Sequence, residues 1–246
     1  MIPMKYLNLV HRRDLFNWSV AYHLGIGHSY SDKYPLVALG VFLYRSRNII
    51  DVKDDIVYKR VSISTIGKGV SVRDERQGKK IGTKKQYRIN SGQFLVSKID
   101  ARNGAFGVVP LEAENAIITG NFWAYDVDYN LIDPHYLALI TRTQEFTSFC
   151  EKASNGTTNR HYLQESLFLS QKIPLPSLEE QNKIIATYTA TIAQAKQYST
   201  QAKDIDKQIE KYLQEILGLG IQLKTKSKTS YSFLRLYKFS ETRNRW

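Results

Sequence analysis

Between Tyr58 and Arg102, twelve cations stand against three anions. The cations are Lys59, Arg60, Lys68, Arg73, Arg76, Lys79, Lys80, Lys84, Lys85, Arg88, Lys98 and Arg102; the anions are Asp74, Glu75 and Asp100. A surplus this dense suits a polyanion better than a small substrate. Gly67, Gly69, Gly78 and Gly82 punctuate the stretch and predict a loop-like centre. A basic loop can follow phosphates while one or two arginines read guanine edges. Arg73 and Arg76 are the candidates for reading bases. Lys68, Lys79, Lys80, Lys84, Lys85, Arg88, Lys98 and Arg102 are candidates for the wider contact. A second polar loop, Asn155-Gly156-Thr157-Thr158-Asn159-Arg160, adds Asn155, Thr157 and Arg160. The plainer alternative for both stretches is a solvated surface or a simple turn.

Groupings that would carry catalysis are missing. The histidines, His11, His23, His28, His135 and His161, include no i, i+4 pair of the zinc-helix kind. No nucleophile elbow, P-loop, glycine-rich S-adenosylmethionine loop or amino-methyltransferase signature is present. Ser97-Lys98-Ile99-Asp100 contains a carboxylate and a lysine, but no set of carboxylates precedes it as a metal nuclease needs. Cys150 is the single cysteine, which excludes a disulfide framework and a cysteine zinc site.

Composition agrees with a nucleic-acid partner. The 246 residues carry a net charge of +12 and the pI is about 9.6. Hydrophobic residues make up 42%, enough for a packed core. No apolar run approaches the roughly 18–20 residues of a membrane span, and the first residues lack the apolar stretch of a signal peptide. The expectation is a soluble protein of a reducing cytoplasm, with no membrane contact and no metal.

Three regions must position these residues. Residues 1–176 read as an α+β globular domain. Short apolar runs such as Tyr34–Leu39, Gln93–Ile99 and Phe106–Val109 predict strands. Asp133 and Pro134 open a helix whose face is Tyr136, Leu137, Ile140 and Phe146. Residues 177–218 read as one long spacer helix. Ser177 to Glu180 forms a capping box, the serine accepting from the Glu180 amide and the glutamate reaching back. Gly218 and Gly220 end the helix after roughly 60 Å. Its stripe is Ile185, Tyr188, Ile192, Ala195, Tyr198, Ala202, Ile205, Ile209, Tyr212 and Ile216, mostly at steps of three and four. That is a coiled-coil-like seam with one stammer at Ala195, and it predicts a partner helix. Residues 219–246 form a basic linker and a tail. There Phe233-Leu234-Arg235-Leu236 echoes Tyr6-Leu7-Asn8-Leu9, and Arg245-Trp246 echoes Asn17-Trp18, as if a second repeat were starting.

The stretch from Ser154 to Ile185 resembles the specificity subunit of Type I restriction–modification enzymes. The matching text is Gly156-Thr157-Thr158, the apolar runs around Leu163 and Leu167, then Ile173-Pro174-Leu175-Pro176-Ser177-Leu178-Glu179-Glu180-Gln181 and Ile184-Ile185. Gly92 to Lys98 resembles the family's central strand, with Gln93 where Asp is more usual. Tyr34 to Gly40 resembles the opening of its recognition domain. The resemblance covers about residues 34 to 217. It implies a DNA target-recognition domain on a spacer helix, in half-length form, with no catalytic site and no cofactor of its own. In such enzymes two recognition domains each read half of a split site, and two antiparallel helices hold them apart. Methyltransferase subunits bring S-adenosylmethionine and methylate adenine, and a motor-nuclease subunit cuts the double-stranded DNA. The simplest partner for the helix is a second copy of the chain. Two other readings remain at this stage. One is the recognition end of a single-chain restriction–methylation enzyme, which an opening at Met1 counts against. The other is an assembly decoy that binds methyltransferase subunits without reading DNA.

Overall fold

The computed structural model describes residues 30–31, 33–65, 67–155 and 161–218. The chain forms two compact units, one reaching Ala190 and a second beginning at Thr191.

The first unit is strand-rich. Its strands are β1 (Leu36–Ala38), β2 (Leu43–Ser46), β3 (Ile49–Asp51), β4 (Val57–Ser64), β5 (Gly69–Gln77), β6 (Lys85–Arg88) and β7 (Phe94–Ser97). They continue with β8 (Phe106–Val108), β9 (Ile117–Ile118), β10 (Phe122–Val127), β11 (Ser154–Asn155), β12 (Tyr162–Leu163) and β13 (Lys172–Pro174). Two sheets dominate: one ordered β2-β10-β7-β8 and one ordered β3-β6-β9-β4-β5. Among the described residues, the pairings in these two sheets are antiparallel except that of β4 with β9.

Strand alternation places the two cores. Along β7, Phe94 and Val96 point to one side, and Leu95 to the other. The first side packs with Phe106, Tyr125, Phe146, Phe149 and Phe168, alongside the helices α1 (Pro134–Ile140), α2 (Gln144–Lys152) and α3 (Glu165–Ser170). Each ring buried there contributes about 1.5–3 kcal/mol. Leu95 and Ala124 instead meet Val61 and Ile118 from the five-stranded sheet, and Ile89 just after β6. The layers therefore run helices, four-stranded sheet, five-stranded sheet. β7 is buried on both faces, which is why Phe94, Leu95 and Val96 are all apolar.

Two expectations are corrected here. The helix opened by Asp133 and Pro134 does form, with the Asp133 carboxylate accepting from the His135 amide at 2.7 Å. It stops at Ile140 rather than running on to Phe146. The hydroxyls of Thr141 and Thr143 donate back to the carbonyls of Ala138 and Ile140, and Thr143 then caps α2 by accepting from the Phe146 amide. The glycine-punctuated centre of the basic stretch is mostly strand, not loop. Gly69 opens β5, and Gly78 is glycine because a Cβ there would collide with the Lys53 carbonyl.

The long helix α4 spans Leu178–Ile216. Ser177 Oγ accepts from the Glu180 amide at 3.4 Å, as the capping box predicts. The Glu180 carboxylate does not complete that box; it accepts from the Tyr34 hydroxyl at 3.1 Å. Gln181 is fully buried and tied to the domain by three hydrogen bonds. Ile184 and Ile185 pack against the aromatic core. From Ala186 to Gly218 every residue is exposed. Gly218 takes the left-handed conformation, φ 61°, that ends the helix. Among the described residues, no helix is long and apolar enough to cross a membrane.

Candidate nucleic-acid interface

The five-stranded sheet has two unlike faces. Its inner face, through Val61, Ile63, Val70 and Tyr87, covers the second core. On its outer face, Tyr58 and Ile117 form a small cluster with Val52 and Ile81. Cross-strand partners share a face, so Arg60 lies with its partners Ile117 and Asp74, and Arg76 lies with Tyr58. Arg88, also opposite Ile117, belongs to the same face.

The arginines there are organised by one carboxylate. Asp74 accepts from Arg60 Nε at 2.8 Å and from Arg60 Nη2 at 2.6 Å, a bidentate pair. Arg73 and Arg76 each approach the same carboxylate at 3.7 Å, beyond hydrogen-bond reach. The Arg60 hydrogen bonds, then its charge, with Arg73 and Arg76 adding to them, hold the Asp74 carboxyl below the usual carboxylate range. Arg60 and Arg73 line a cleft of about 170 Å³ together with polar Ser62, Gln86 and Asp100 and apolar Ile63, Ile117 and Ile118. Arg88 Nε is buried without a partner.

The other candidates scatter around this face. Lys79 and Lys80 are exposed on a short 3-10 helix, Gly78–Lys80, that follows β5. Lys84 donates to Asp54 and to the Gly78 carbonyl, so it pins that turn. Lys85 is exposed on β6 opposite Asp51. Arg102 is half-buried on the 3-10 helix Ala101–Asn103. Lys68 lines a different cleft, with Gly107, His135 and Arg142. The backbone of Asn155 lies in β11, paired with Tyr162; Thr157 and Arg160 fall outside the described residues.

Lys98 belongs to a second cluster. Its ammonium stands 5.6 Å from the Trp123 ring centroid, and the Arg45 guanidinium lies 5.6 Å from both Trp123 and Tyr125. Glu165 accepts from Arg45 at 3.2 Å and from the Tyr125 hydroxyl at 3.0 Å. Burial, then the Arg45 charge, pushes the Lys98 ammonium below its usual value. Burial and Glu165 push the Tyr125 phenol far up. The Lys98 carbonyl accepts from the Leu163 amide on β12 at 2.9 Å, so this cluster is tied to β12.

Sequence reasoning missed Arg60, Asp74 and Arg45 as parts of these clusters. Arg60 was visible as a cation, but its partner is set by strand register. Arg45 precedes the dense run and stands in an ordinary strand pattern, Tyr44-Arg45-Ser46. The anticipated helix seam touches its own domain at its start. Ile185 is half-buried against the core, and the Tyr188 hydroxyl accepts from Arg142 at 3.1 Å while its ring lies 5.8 Å from the same guanidinium. The stripe left open begins at Ile192; Ile205 is 55% exposed and Ile209 50%. No cluster of three or more His, Cys, Asp or Glu suited to a metal exists among the described residues.

Comparison with known proteins points the same way. The family model for the Type I restriction modification DNA specificity domain matches residues 40–204. The fold is similar to that of the HsdS subunit crystal structure from Thermoanaerobacter tengcongensis, at TM-score 0.63 and 19% identity over 80% of this chain. It is equally similar to a chain from a structural study of complex assembly and conformational transition of the type I R-M system, at TM-score 0.61 and 20% identity over 80% of this chain. The present chain spans about half of either, 53% of their length. No curated protein matches significantly. With two-thirds of its length under that model and the expected sheet-rich domain and long helix in place, this chain belongs to the Type I restriction modification DNA specificity domain family.

Proposed function

We propose that this chain is a non-catalytic, sequence-specific DNA-binding subunit of a Type I restriction–modification system. It reads one half of a split site in double-stranded DNA and docks methyltransferase subunits, which carry the S-adenosylmethionine; a motor-nuclease subunit completes the complex in the cytoplasm. The observation that carries this reading is the outer face of the five-stranded sheet. Arg60, Arg73 and Arg76 converge there on a single carboxylate, flanked by the exposed Lys79 and Lys80. Such a face supplies phosphate contacts and planar donors for base edges together.

The exposed stripe of α4 from Ile192 to Ile216 supports pairing with a second copy. An antiparallel pair closes on itself about a two-fold axis. It presents two identical recognition domains, so the target is an inverted repeat with a spacer. Methylome sequencing of cells expressing this chain with a Type I methyltransferase subunit tests the proposal. The expected result is one methylated, spaced, inverted motif that is absent without this chain. Methylation that is unchanged by its presence refutes the reading.

A further inference from the structure

Strand β5 changes sides partway along. β4 pairs Val61, Ser62, Ile63 and Ser64 with Val72, Ser71, Val70 and Gly69, and pairs Val57, Tyr58, Lys59 and Arg60 with Gln77, Arg76, Glu75 and Asp74. Arg73 has no partner of its own: it is the extra residue of a β-bulge. Before the bulge the even positions face inward, as Val70 does. After it the even positions, Asp74 and Arg76, face outward with Arg60 and Tyr58. Strict alternation would put Arg73 on the side opposite to Asp74. The bulge brings both to one side, with Arg73 Nε 3.7 Å from the Asp74 carboxylate and Arg73 lining the cleft beside Arg60.

Arg60 and Arg73 have different duties. Arg60 is spent on Asp74, with its side chain 19% exposed. The Arg73 side chain is 54% exposed and makes no hydrogen bond to that carboxylate, so its planar fork is presented rather than consumed. β5 is also the edge strand of its sheet, and β4–β5 is a two-stranded ribbon of the size a major groove admits. A carboxylate on a DNA-facing surface weakens attraction to phosphate. Its place between three guanidinia therefore needs another cause. Bonded to Arg60 and close to Arg73 and Arg76, Asp74 offsets their mutual repulsion and fixes where Arg73 sits.

Resting on the DNA-reading function proposed above, we infer that Arg73 is a specificity-determining residue that reads the O6 and N7 edge of one guanine, and that Asp74, held by Arg60, is its positioning residue. Arg73→Ala then removes selectivity at one G·C position of the half-site, by on the order of ten- to a hundredfold, and leaves the other positions intact. Arg73→Lys keeps the charge without the fork and relaxes the same position. Asp74→Asn relaxes that position too, yet strengthens binding to unrelated DNA because a negative charge is gone.

The experiment compares methylomes of cells expressing the methyltransferase with wild-type, Arg73→Ala, Arg73→Lys or Asp74→Asn chain. Binding of each purified complex to an unrelated duplex is measured across salt concentrations, so that a variant silent in cells is still scored. One guanine position turning degenerate in all three variants, with an unchanged salt slope for Arg73→Lys, supports the inference. A wild-type motif retained unaltered by the Arg73 variants overturns it and leaves the DNA-reading function standing. So does an Arg73→Ala complex that loses affinity for all sequences equally with a shallower salt slope, since that marks a phosphate contact. A wild-type chain that directs no motif at all sinks the function and the inference together.

Discussion

Replacing Gln181 by methionine should loosen the joint between the recognition domain and its helix. The Gln181 side chain is fully buried. Its Nε2 donates to the Leu131 carbonyl at 3.0 Å and the Pro176 carbonyl at 2.9 Å, and its Oε1 accepts from the Asp133 amide at 2.8 Å. Methionine keeps the volume and deletes all three bonds. A buried polar group left unpaired costs about 1–3 kcal/mol, and carbonyls with a second lone pair fall at the low end, so the sum is about 3 kcal/mol. Gln181→Ala should cost about 2–5 kcal/mol more than Gln181→Met, because the γ-methylene, sulfur and methyl with which methionine fills the core are absent and a cavity remains. At about 2–4 °C per kcal/mol for a domain of this size, Gln181→Met should lower Tm by about 6–12 °C. Urea unfolding followed by circular dichroism measures the free energy, and hydrogen exchange reports the Asp133 amide directly. A Gln181→Met protein within about 0.5 kcal/mol of wild type, with that amide still protected, would refute the reasoning.

Other expectations follow from the same geometry. DNA affinity should fall with salt at a log–log slope near −5 if about six phosphates are neutralised, and removing Lys79 and Lys80 should flatten it; filter binding from low to moderate salt reads both. Exchanging Ile205 and Ile209 for Asp should dissociate the pair of chains by burying unpaired charge, which light scattering detects; a wild type that is monomeric at tens of micromolar removes that proposal. Gly78→Ala should destabilise the fold strongly, because the added Cβ meets the Lys53 carbonyl backbone; thermal melting shows it. Asp74 is held below the ordinary carboxylate value of 3.8, so its pairing supports the fold fully above that value and is lost as pH falls through the lower folded value. The stability gap between wild type and Asp74→Asn should therefore close in acid, as paired melts across pH will reveal.

What could be read from the chain alone depended on whether the cause was local. The α4 boundaries were legible because a serine cap and a left-handed glycine act within one turn. Strands β1, β7 and β8 showed as apolar runs. The Glu-Gln at the helix start was legible as a signature, and burial of Gln181 supplies its physical reason. The Arg73 bulge was not legible, because it exists only in the pairing of β4 with β5. The same holds for Arg45, whose meaning comes from Trp123, Tyr125 and Glu165, all distant in sequence. Ile185 fitted the helical stripe equally well whether a partner or its own domain covered it. Periodicity reports which face is apolar, not what rests on it.

The side-switching strand also separates two evolutionary demands that most strands must meet at once. Up to Val72, β5 answers to the core through Val70, and Gly107 admits no side chain because a Cβ there would lie 2.9 Å from Gly69 Cα. From Arg73 onward no residue of β5 belongs to a core cluster. Positions 73, 75 and 76 are thus free to drift in chemistry while the scaffold holds still, and only Asp74, through its pair with Arg60, still bears on the fold. A lineage that gains by changing its target needs such a segment, and a protein engineer seeking new sequence preferences would randomise it first.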